Sequence, residues 1–230
     1  FKTLYPIAKN KDVVSGLYIP NDGQADPEIL TKNISIAAKK KGVKIFEKCK
    51  LEKILKRNNQ IRGVKTNLGT INCEYIVLCA GMWSRQIGEA AGVNIPLYPN
   101  EHFYMITEDY KSLPKVLPTF RDPDTYLYAR EYHGKMMLGI FEPNAKNAFK
   151  KTNKVPNNFS FGEFKVDKKY IKMLHQLAAK RMPTIKSLSI EKYFSGPESF
   201  TPDSNFLLGE TEEIKNFYVC CGFNSIGIGS

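Results

Sequence analysis

The sequence predicts an α/β (α+β) fold, in which an α/β unit with buried strands is interleaved with a unit built on an antiparallel sheet. Continuous apolar runs stand at two distant points of the chain, Tyr75–Ala80 and Phe217–Cys221. Such runs are typical of strands covered on both faces in a parallel sheet. Between these runs, several segments of residues 103–141 alternate apolar and polar side chains, which is typical of antiparallel strands.

The order of the segments predicts the domain organisation. Residues 1–95 form the first part of the α/β unit, residues 96–195 form the antiparallel sheet with a helix, and residues 196–230 return to the α/β unit. Residues 143–166 are rich in Lys, Asn and Phe, and we expect them to form an exposed loop. No internal repeat is visible.

The first stretch begins with a short predicted strand at Gly16–Pro20. A helix follows, because Asp26 is a good N-cap, Pro27 suits the first helical position and Gly42 suits the end. The apolar segment Val43–Phe46 predicts a strand directly after the helix.

A small meander and a second helix complete this stretch. Three short strands are predicted for the meander: Leu51–Leu55, Ile61–Thr66 and Gly69–Asn72. The buried run Tyr75–Ala80 follows and is broken by Gly81. We expect Trp83–Ala91 to be helical and to stop at Gly92.

The middle stretch predicts a hairpin, a helix and further strands. Three strands are expected: Phe103–Glu108, Thr125–Glu131 and Lys135–Phe141. The last two are joined by a turn at Tyr132–Gly134. Asp167 caps the helix and Pro183 stops it, and Ser187–Phe194 is strand-like again.

The final stretch alternates loops and short strands. Loops are predicted at Gly196–Glu198 and Thr201–Asp203, and strands at Asn205–Leu208 and Phe217–Cys221.

Composition excludes several functional classes. The net charge is +11, but the lysines are dispersed and arginine is sparse, so we expect a solvated basic surface and no nucleic-acid binding. No run of eighteen apolar residues occurs, so we expect no membrane insertion. The three histidines show no ligand spacing, so no metal site is expected. The five cysteines are expected to be reduced, and those in apolar runs to be buried.

Two strand-to-glycine junctions carry the strongest functional signal. They are Val77–Trp83 and Val219–Gly227. Glycine at the carboxyl end of a buried strand lets the backbone approach a ligand, and a following helix N-terminus offers free N–H groups. A single junction of this kind is explained equally well by a glycine that only ends the strand and has no role in ligand binding. The chain contains no G-x-G-x-x-G, so a dinucleotide site does not follow from these junctions alone.

Several segments resemble those of the D-amino-acid oxidase-like FAD-dependent oxidoreductase superfamily. Gly16–Pro20 with Gly23–Pro27 resembles its G-x-x-x-P-x-D-G-x-x-D-P stretch, and Cys79–Ser84 resembles its A-G-x-W-(S/A) segment. Three further segments resemble the sarcosine and dimethylglycine dehydrogenases of this superfamily: Pro99–Tyr104, Gly196–Asp203 and Gly222–Gly227.

This resemblance implies a partial FAD-binding domain over residues 1–95 and 196–230, without its phosphate loop, and a substrate domain over residues 96–195. It also implies cofactor contacts. The residue matching Leu51 touches the adenine side, and the segment from Gly81 to Trp83 packs near the ribose and pyrophosphate. The residues expected beside the flavin ring are Gly222, Phe223, Asn224, Ser225, Ile226 and Gly227.

The resemblance also implies catalytic residues. His102 matches the active-site histidine of the family, and Tyr126 or Tyr128 matches its tyrosine. Strand alternation places Tyr126, Tyr128 and Arg130 on one face. A strand-end histidine satisfied by backbone and tyrosines in the sheet core are the alternative interpretations. Arg130 is expected to bind a substrate carboxylate or, alternatively, to form a surface ion pair with Glu131 or Asp124.

The implied reaction is FAD-dependent oxidative demethylation of sarcosine or dimethylglycine, by hydride transfer from the N-methyl carbon to the flavin. The alternatives are an FAD enzyme for another amino acid and a non-catalytic subunit that retains the fold. Covalent FAD attachment, a folate-binding region and the electron acceptor stay open. We expect a cytoplasmic or mitochondrial-matrix protein, and we expect the chain alone to be inactive.

Overall fold

The computed structural model describes residues 1–150 and 152–229, and the chain divides into two compact units. Unit 1 comprises Phe1–Gln24, Glu101–Lys146 and Ser160–Gly196, and unit 2 comprises Ala25–Asn100, Asn147–Phe159 and Pro197–Ser230. The assignment of residues 1–95 and 196–230 to FAD binding, and of residues 96–195 to substrate binding, stays a prediction.

Three α-helices and eleven strands make up the regular structure of the described residues. The helices are α1 (Pro27–Lys40), α2 (Ser84–Ala91) and α3 (Lys168–Arg181). The strands are β1 (Leu51–Arg57), β2 (Gln60–Thr66), β3 (Gly69–Asn72), β4 (Ile76–Leu78), β5 (Tyr98–Thr107), β6 (Phe120–Asp122), β7 (Leu127–Tyr132), β8 (Lys135–Ile140), β9 (Ile190–Phe200), β10 (Leu207–Glu210) and β11 (Phe217–Cys221).

Unit 1 is built on an antiparallel sheet with the strand order β6-β7-β8-β5-β9. The predicted hairpin is confirmed: Tyr132 pairs with Lys135, and both intervening residues, His133 and Gly134, have positive φ. Helix α3 is capped by Asp167, whose side chain accepts from Lys169 N, as predicted. The largest fully buried side chains of this core come from the sheet, α3 and the segment after it: Met105, Leu127, Met136, Leu138, Ile140, Leu174, Met182 and Ile185.

Arg181, which forms a buried ion pair with Asp122, anchors the amino-terminal residues to the rest of unit 1. Arg181, at the end of α3, is 6 % exposed and donates from Nε to Asp122 Oδ2 at 2.7 Å. Its Nη1 donates to Lys9 O at 2.8 Å and to Asp12 Oδ1 at 3.0 Å. These bonds explain why residues 1–24 group with the antiparallel sheet, although the sequence analysis placed them with the α/β unit.

Unit 2 contains two three-stranded sheets, with the orders β1-β2-β3 and β10-β11-β4. The meander and the second helix are confirmed, and Gly92 ends α2 in the left-handed region. Strand β11 pairs with β4 in parallel and with β10 antiparallel. The predicted parallel sheet is therefore present. The core of this unit includes Ile61, Ile95, Leu97 and Phe217, each at most 2 % exposed.

Some local predictions were wrong. Gly16–Pro20 and Val43–Phe46, both in the described part of the chain, form no strand. Their apolar side chains are exposed, with Leu17 at 89 % and Phe46 at 59 %, and strand propensity needs a packed face. Strand β9 continues to Phe200, through the segment predicted as a loop at Gly196–Glu198.

The apolar run at β4 was expected to be covered on both faces but is covered on one. In β4, Leu78 is buried whereas Val77 is 60 % exposed. The expectation of buried thiols was also too general, because Cys221 is buried but Cys79 is exposed. No helix among the described residues combines the length and the apolar character that a membrane span needs.

We predict that Arg181→Met lowers the free energy of unfolding by about 3–5 kcal/mol, because it leaves the buried Asp122 carboxylate without its partner. Urea denaturation of the protein measures the change. Lys180→Met, on the exposed neighbouring residue of α3, is the matched control and should shift stability by at most about 0.5 kcal/mol. Equal effects of the two substitutions would contradict the anchoring role.

Candidate functional site

The parallel pair β4–β11 brings the two glycine junctions to one edge of a sheet. Ile76, Val77 and Leu78 pair with Phe217, Tyr218 and Val219 respectively. Gly222 directly follows β11, and Gly81 lies three residues after β4. Both junctions therefore stand at the carboxyl ends of adjacent parallel strands, which is the edge where ligands bind in open α/β sheets.

The two glycines serve different steric purposes. Gly81 has φ +52°, and a Cβ placed on it would meet no atom within 4 Å. Gly222 has φ +73°, and a Cβ on it would lie 2.7 Å from Thr201 Cγ2 and 3.0 Å from Leu97 Cδ1. Gly81 thus leaves open space beside the strand end, whereas Gly222 permits close packing beneath the following loop.

Side-chain hydrogen bonds fix the loop after β11. Asn224 Oδ1 accepts from Thr201 N at 2.9 Å, and Asn224 Nδ2 donates to Gly222 O at 2.6 Å. Asn224 and Ser225 both have positive φ. The expected helix N-terminus is represented in the described residues only by a three-residue 3-10 turn, Gly227–Gly229. The loop therefore offers a backbone surface that these hydrogen bonds fix.

An open pocket of about 520 Å³ lies at this strand edge. We call it the strand-end pocket. It is lined by Cys79, Gly81, Met82, Trp83, Pro197, Glu198, Ser199, Cys220, Cys221, Gly222, Phe223, Asn224, Ser225 and Gly227. Seven of the predicted cofactor residues are therefore brought together. Leu51 and Ile226 are not among the lining residues: Leu51 begins β1 beside the unit 2 core, and Ile226 is 51 % exposed.

Glu198 is a pocket residue to which the sequence analysis gave no role. Its Oε2 atom is buried and has no hydrogen-bond partner among the described residues. Burial raises the pKa of the Glu198 carboxyl to about 7, because a low-dielectric environment disfavours the charged form. The residue lies in the quoted segment Gly196–Asp203, so its type was visible, but its burial depends on the tertiary fold.

Two thiols of the strand-end pocket lie side by side. Cys79 and Cys220 are hydrogen-bonded to each other, and desolvation, followed by the neighbouring Cys220, raises the pKa of the Cys79 thiol. The pocket therefore combines apolar and aromatic side chains, thiols, loop backbone and one carboxyl group. Such a lining suits a flat aromatic ligand with a polar edge.

The predicted catalytic histidine and one of the two tyrosines meet in unit 1. His102 Nε2 and Tyr128 Oη are 2.9 Å apart. The His102 ring stacks on Phe141, with ring centroids 4.6 Å apart at 14°. A Cβ on Gly139 would lie 2.2 Å from Tyr128 Oη, so the hairpin leaves room for the phenol only because residue 139 is glycine. We call His102, Tyr128 and Phe141 the aromatic cluster.

The aromatic cluster holds an uncharged histidine. His102 is 8 % exposed, and burial lowers its pKa from 6.5 to about 4. The hydrogen bond described for the His102 ring is made to the side chain of Tyr128, whereas the alternative interpretation expected a backbone partner. Glu142, which follows Phe141, was missed by the sequence analysis, and burial raises its pKa to about 7. Burial thus shifts both residues toward their neutral forms.

Tyr126 does not lie on the same strand face as Tyr128. It lies before β7, in the left-handed region that ends the turn Pro123–Thr125, and it is 47 % exposed. The strand begins at Leu127, so the alternation that was expected to place Tyr126 beside Tyr128 does not extend to it. Tyr128 is therefore the tyrosine that the structure brings to His102.

Arg130 is half-buried on β7. Its Nη1 donates to Gln24 Oε1 at 3.0 Å, and its guanidinium lies 5.1 Å from the centroid of the Tyr132 ring. Within the described residues it forms no ion pair with Glu131 or Asp124. Its role toward a substrate carboxylate stays a prediction.

Comparisons with known proteins agree with these observations. The family model described as "FAD dependent oxidoreductase" (DAO) matches residues 1–230. The chain is 33 % identical over 228 residues to the 4-methylaminobutanoate oxidase (formaldehyde-forming) of Paenarthrobacter nicotinovorans, covering 99 % of this chain and 27 % of that protein. It is 34 % identical over 232 residues to the mitochondrial sarcosine dehydrogenase of Homo sapiens, covering 99 % and 25 %.

Two further matches are a mitochondrial regulatory subunit and a solved dehydrogenase structure. The mitochondrial pyruvate dehydrogenase phosphatase regulatory subunit of Mus musculus is 31 % identical over 228 residues, covering 98 % of this chain and 26 % of that protein. Among solved structures, the L-proline dehydrogenase from P. horikoshii superposes with a TM-score of 0.82 at 27 % identity, covering 98 % of this chain and 57 % of that one. The chain spans about a quarter of the length of these curated relatives.

We predict that His102 makes stability depend on pH. Because its folded pKa of about 4 lies below its ordinary 6.5, its contribution is fully present above pH 6.5 and is lost as the pH falls toward 4. The loss amounts to at most about 3 kcal/mol. Urea denaturation of wild type and His102→Asn between pH 4 and 7.5 measures the difference. A constant difference between the two proteins over this range would contradict the prediction.

Proposed function

The chain belongs to the family of FAD-dependent oxidoreductases, and on that premise we propose that the whole protein oxidises an N-methylated amino acid. Sarcosine or dimethylglycine is the substrate we favour, with oxidation at the N-methyl carbon. The observation that carries this proposal is the buried, uncharged His102 hydrogen-bonded to Tyr128. An amine can give up a hydride from its neighbouring carbon only when its nitrogen lone pair is free, so a site that disfavours the ammonium form is needed.

The strand-end pocket fits FAD. Gly81 leaves space for a ligand at the strand end, and Trp83 and Phe223 offer aromatic surface. Glu198 Oε2 is buried and has no hydrogen-bond partner within residues 1–150 and 152–229. We infer that FAD is held by the lining residues Gly81, Trp83, Gly222, Phe223, Asn224, Ser225 and Gly227. The cofactor supplies the electron acceptance when bound. The backbone of the braced loop orients it.

His102 and Tyr128 act on the amine in this proposal. The low pKa of His102 means that it stays neutral near pH 7, so it adds no charge and offers one donor and one acceptor nitrogen. Tyr128 Oη shares a hydrogen bond with that ring and can accept from the N–H of a neutral secondary amine, so the nitrogen lone pair stays free. The pair thus binds and orients the free amine without stabilising its protonated form.

The shared chemistry of the relatives supports this substrate class. Sarcosine, 4-methylaminobutanoate and proline are all secondary amines that carry a carboxylate, and the relatives named for them match almost the whole chain. Arg130 is the guanidinium we propose for the carboxylate. Its Nη1 is held by Gln24 Oε1, which leaves Nη2 for an anionic ligand.

Two alternatives have support of their own. The longer 4-methylaminobutanoate, or another secondary amino acid, is a competing substrate, because each methylene group in a pocket contributes only about 1–3 kcal/mol of discrimination. A non-catalytic role is favoured by the resemblance to a phosphatase regulatory subunit. The cytoplasmic or mitochondrial-matrix location stays a prediction.

We predict that the full-length protein is yellow and that its flavin absorption band bleaches when sarcosine or dimethylglycine is added without oxygen. Stopped-flow absorbance measures the rate for a panel of sarcosine, dimethylglycine, 4-methylaminobutanoate and proline. Faster bleaching by one of the last two would transfer the assignment to that substrate. A protein that binds FAD but bleaches with none of them would favour the non-catalytic role.

We predict that His102→Ala and Tyr128→Phe each slow flavin reduction by at least about tenfold, within the range usual for acid–base groups. Unit 1 offers a matched control, because His175 and Tyr193 form a second hydrogen-bonded His–Tyr pair outside the aromatic cluster. His175→Ala and Tyr193→Phe should leave the reduction rate within about twofold, less than the effect of losing one acid–base group. Equal effects in both pairs would remove His102 and Tyr128 from the mechanism.

A further inference from the structure

We propose that Glu198 is a flavin-contacting residue of the strand-end pocket, and that its Oε2 atom hydrogen-bonds the polar edge of the flavin ring of FAD. This inference rests on the proposed function of the pocket. It assigns a role to a carboxyl group that the expected cofactor contacts do not include.

The first observation is that one carboxyl oxygen of Glu198 lacks a hydrogen bond within the described part of the chain. Oε2 of Glu198 is buried and has no hydrogen-bond partner among the described residues. Buried polar atoms in native proteins nearly always have a partner, because leaving one unpaired costs free energy. The atom lines a pocket that is open to ligands, so a ligand is the partner that would satisfy it.

The second observation concerns the chemical class of that ligand. The described lining of the strand-end pocket contains no Lys or Arg, and Glu198 is its one carboxylic acid. A phosphate or carboxylate placed against Glu198 would force either like-charge repulsion or protonation. An uncharged heterocycle carries no such cost. The flavin ring therefore suits this end of the pocket, whereas the pyrophosphate of FAD does not.

The protonation state of Glu198 strengthens the match. Burial raises the pKa of this carboxyl to about 7, so a large share of the molecules hold it as the neutral acid near neutral pH. A neutral carboxylic acid presents one donor and one acceptor. The pyrimidine edge of a flavin alternates carbonyl acceptors with an N–H donor, so the two groups are complementary.

The third observation is that Glu198 is fixed relative to the loop proposed to lie beside the flavin. Glu198 belongs to β9, and Thr201 follows that strand directly. Thr201 N donates to Asn224 Oδ1 at 2.9 Å, and Thr201 Oγ1 contacts the same side chain. The segment that carries Glu198 and the loop that begins at Gly222 are thus joined by hydrogen bonds. A ligand held by that loop meets Glu198 at a fixed position.

The test compares Glu198→Leu and Glu198→Gln in the full-length protein. Leu removes the hydrogen-bonding group, whereas Gln keeps an uncharged donor and acceptor of similar size. Glu191→Leu is the control, since Glu191 lies on the exposed side of the same strand and pairs with Lys135. The dissociation constant of FAD for the apoprotein is measured at pH 6.5 by fluorescence quenching, and thermal unfolding of each apoprotein is measured beside it.

We expect Glu198→Leu to raise the dissociation constant at least about fivefold, Glu198→Gln to stay within about threefold, and the control to match wild type. We also expect the Glu198→Leu apoprotein to be at least as stable as the wild type, because the substitution removes a buried carboxyl oxygen that has no hydrogen-bond partner in the described part of the chain. A smaller change for Leu, or a less stable Leu apoprotein, would overturn the inference and leave FAD binding by the wild type intact. A wild type that binds no FAD would overturn the proposed function itself, and this inference with it.

Discussion

The parallel pairing of β4 with β11 is the constraint on which the strand-end pocket depends. Backbone hydrogen bonds join segments that are distant in sequence, and Leu78 is thereby set beside Val219. Because both strands run in the same direction, the glycines that follow them emerge at one edge. The bond between Thr201 and Asn224 then adds the end of β9 to this edge. As a consequence, the open space beside Gly81, the backbone of the loop after β11 and the buried carboxyl of Glu198 all lie at this edge.

In both units, burial shifts the pKa of titratable groups toward the neutral form. The pKa rises for acids and falls for bases. It lowers the pKa of His102 and raises those of Glu142 and Glu198. In each case the neutral form is favoured. Where charge is kept inside, as at Arg181, close carboxylates compensate it. Burial thus has two outcomes in this protein: an ion pair in which carboxylates compensate the guanidinium, and hydrogen-bonding groups that are shifted toward their neutral forms.

Sequence patterns predicted features that depend on local rules. Helix caps, the His133-Gly134 turn and the glycine junctions follow from backbone preferences, so these were found. Tyr126 and Glu198 show where local rules stop. Tyr126 leaves the strand because the chain turns through a left-handed residue before Leu127. The unpaired Oε2 of Glu198 depends on which side chains surround it in the folded unit, and neither periodicity nor spacing carries that information.

The claim that FAD occupies the strand-end pocket is tested most directly by thiol labelling. Cys79 is exposed and lines the pocket, whereas Cys49 is partly exposed and lies outside it. Mass spectrometry can follow alkylation of each thiol in the full-length protein, with and without saturating FAD. The account predicts that FAD slows labelling of Cys79 severalfold and leaves Cys49 unchanged. Bound FAD with unchanged labelling of Cys79 would contradict it.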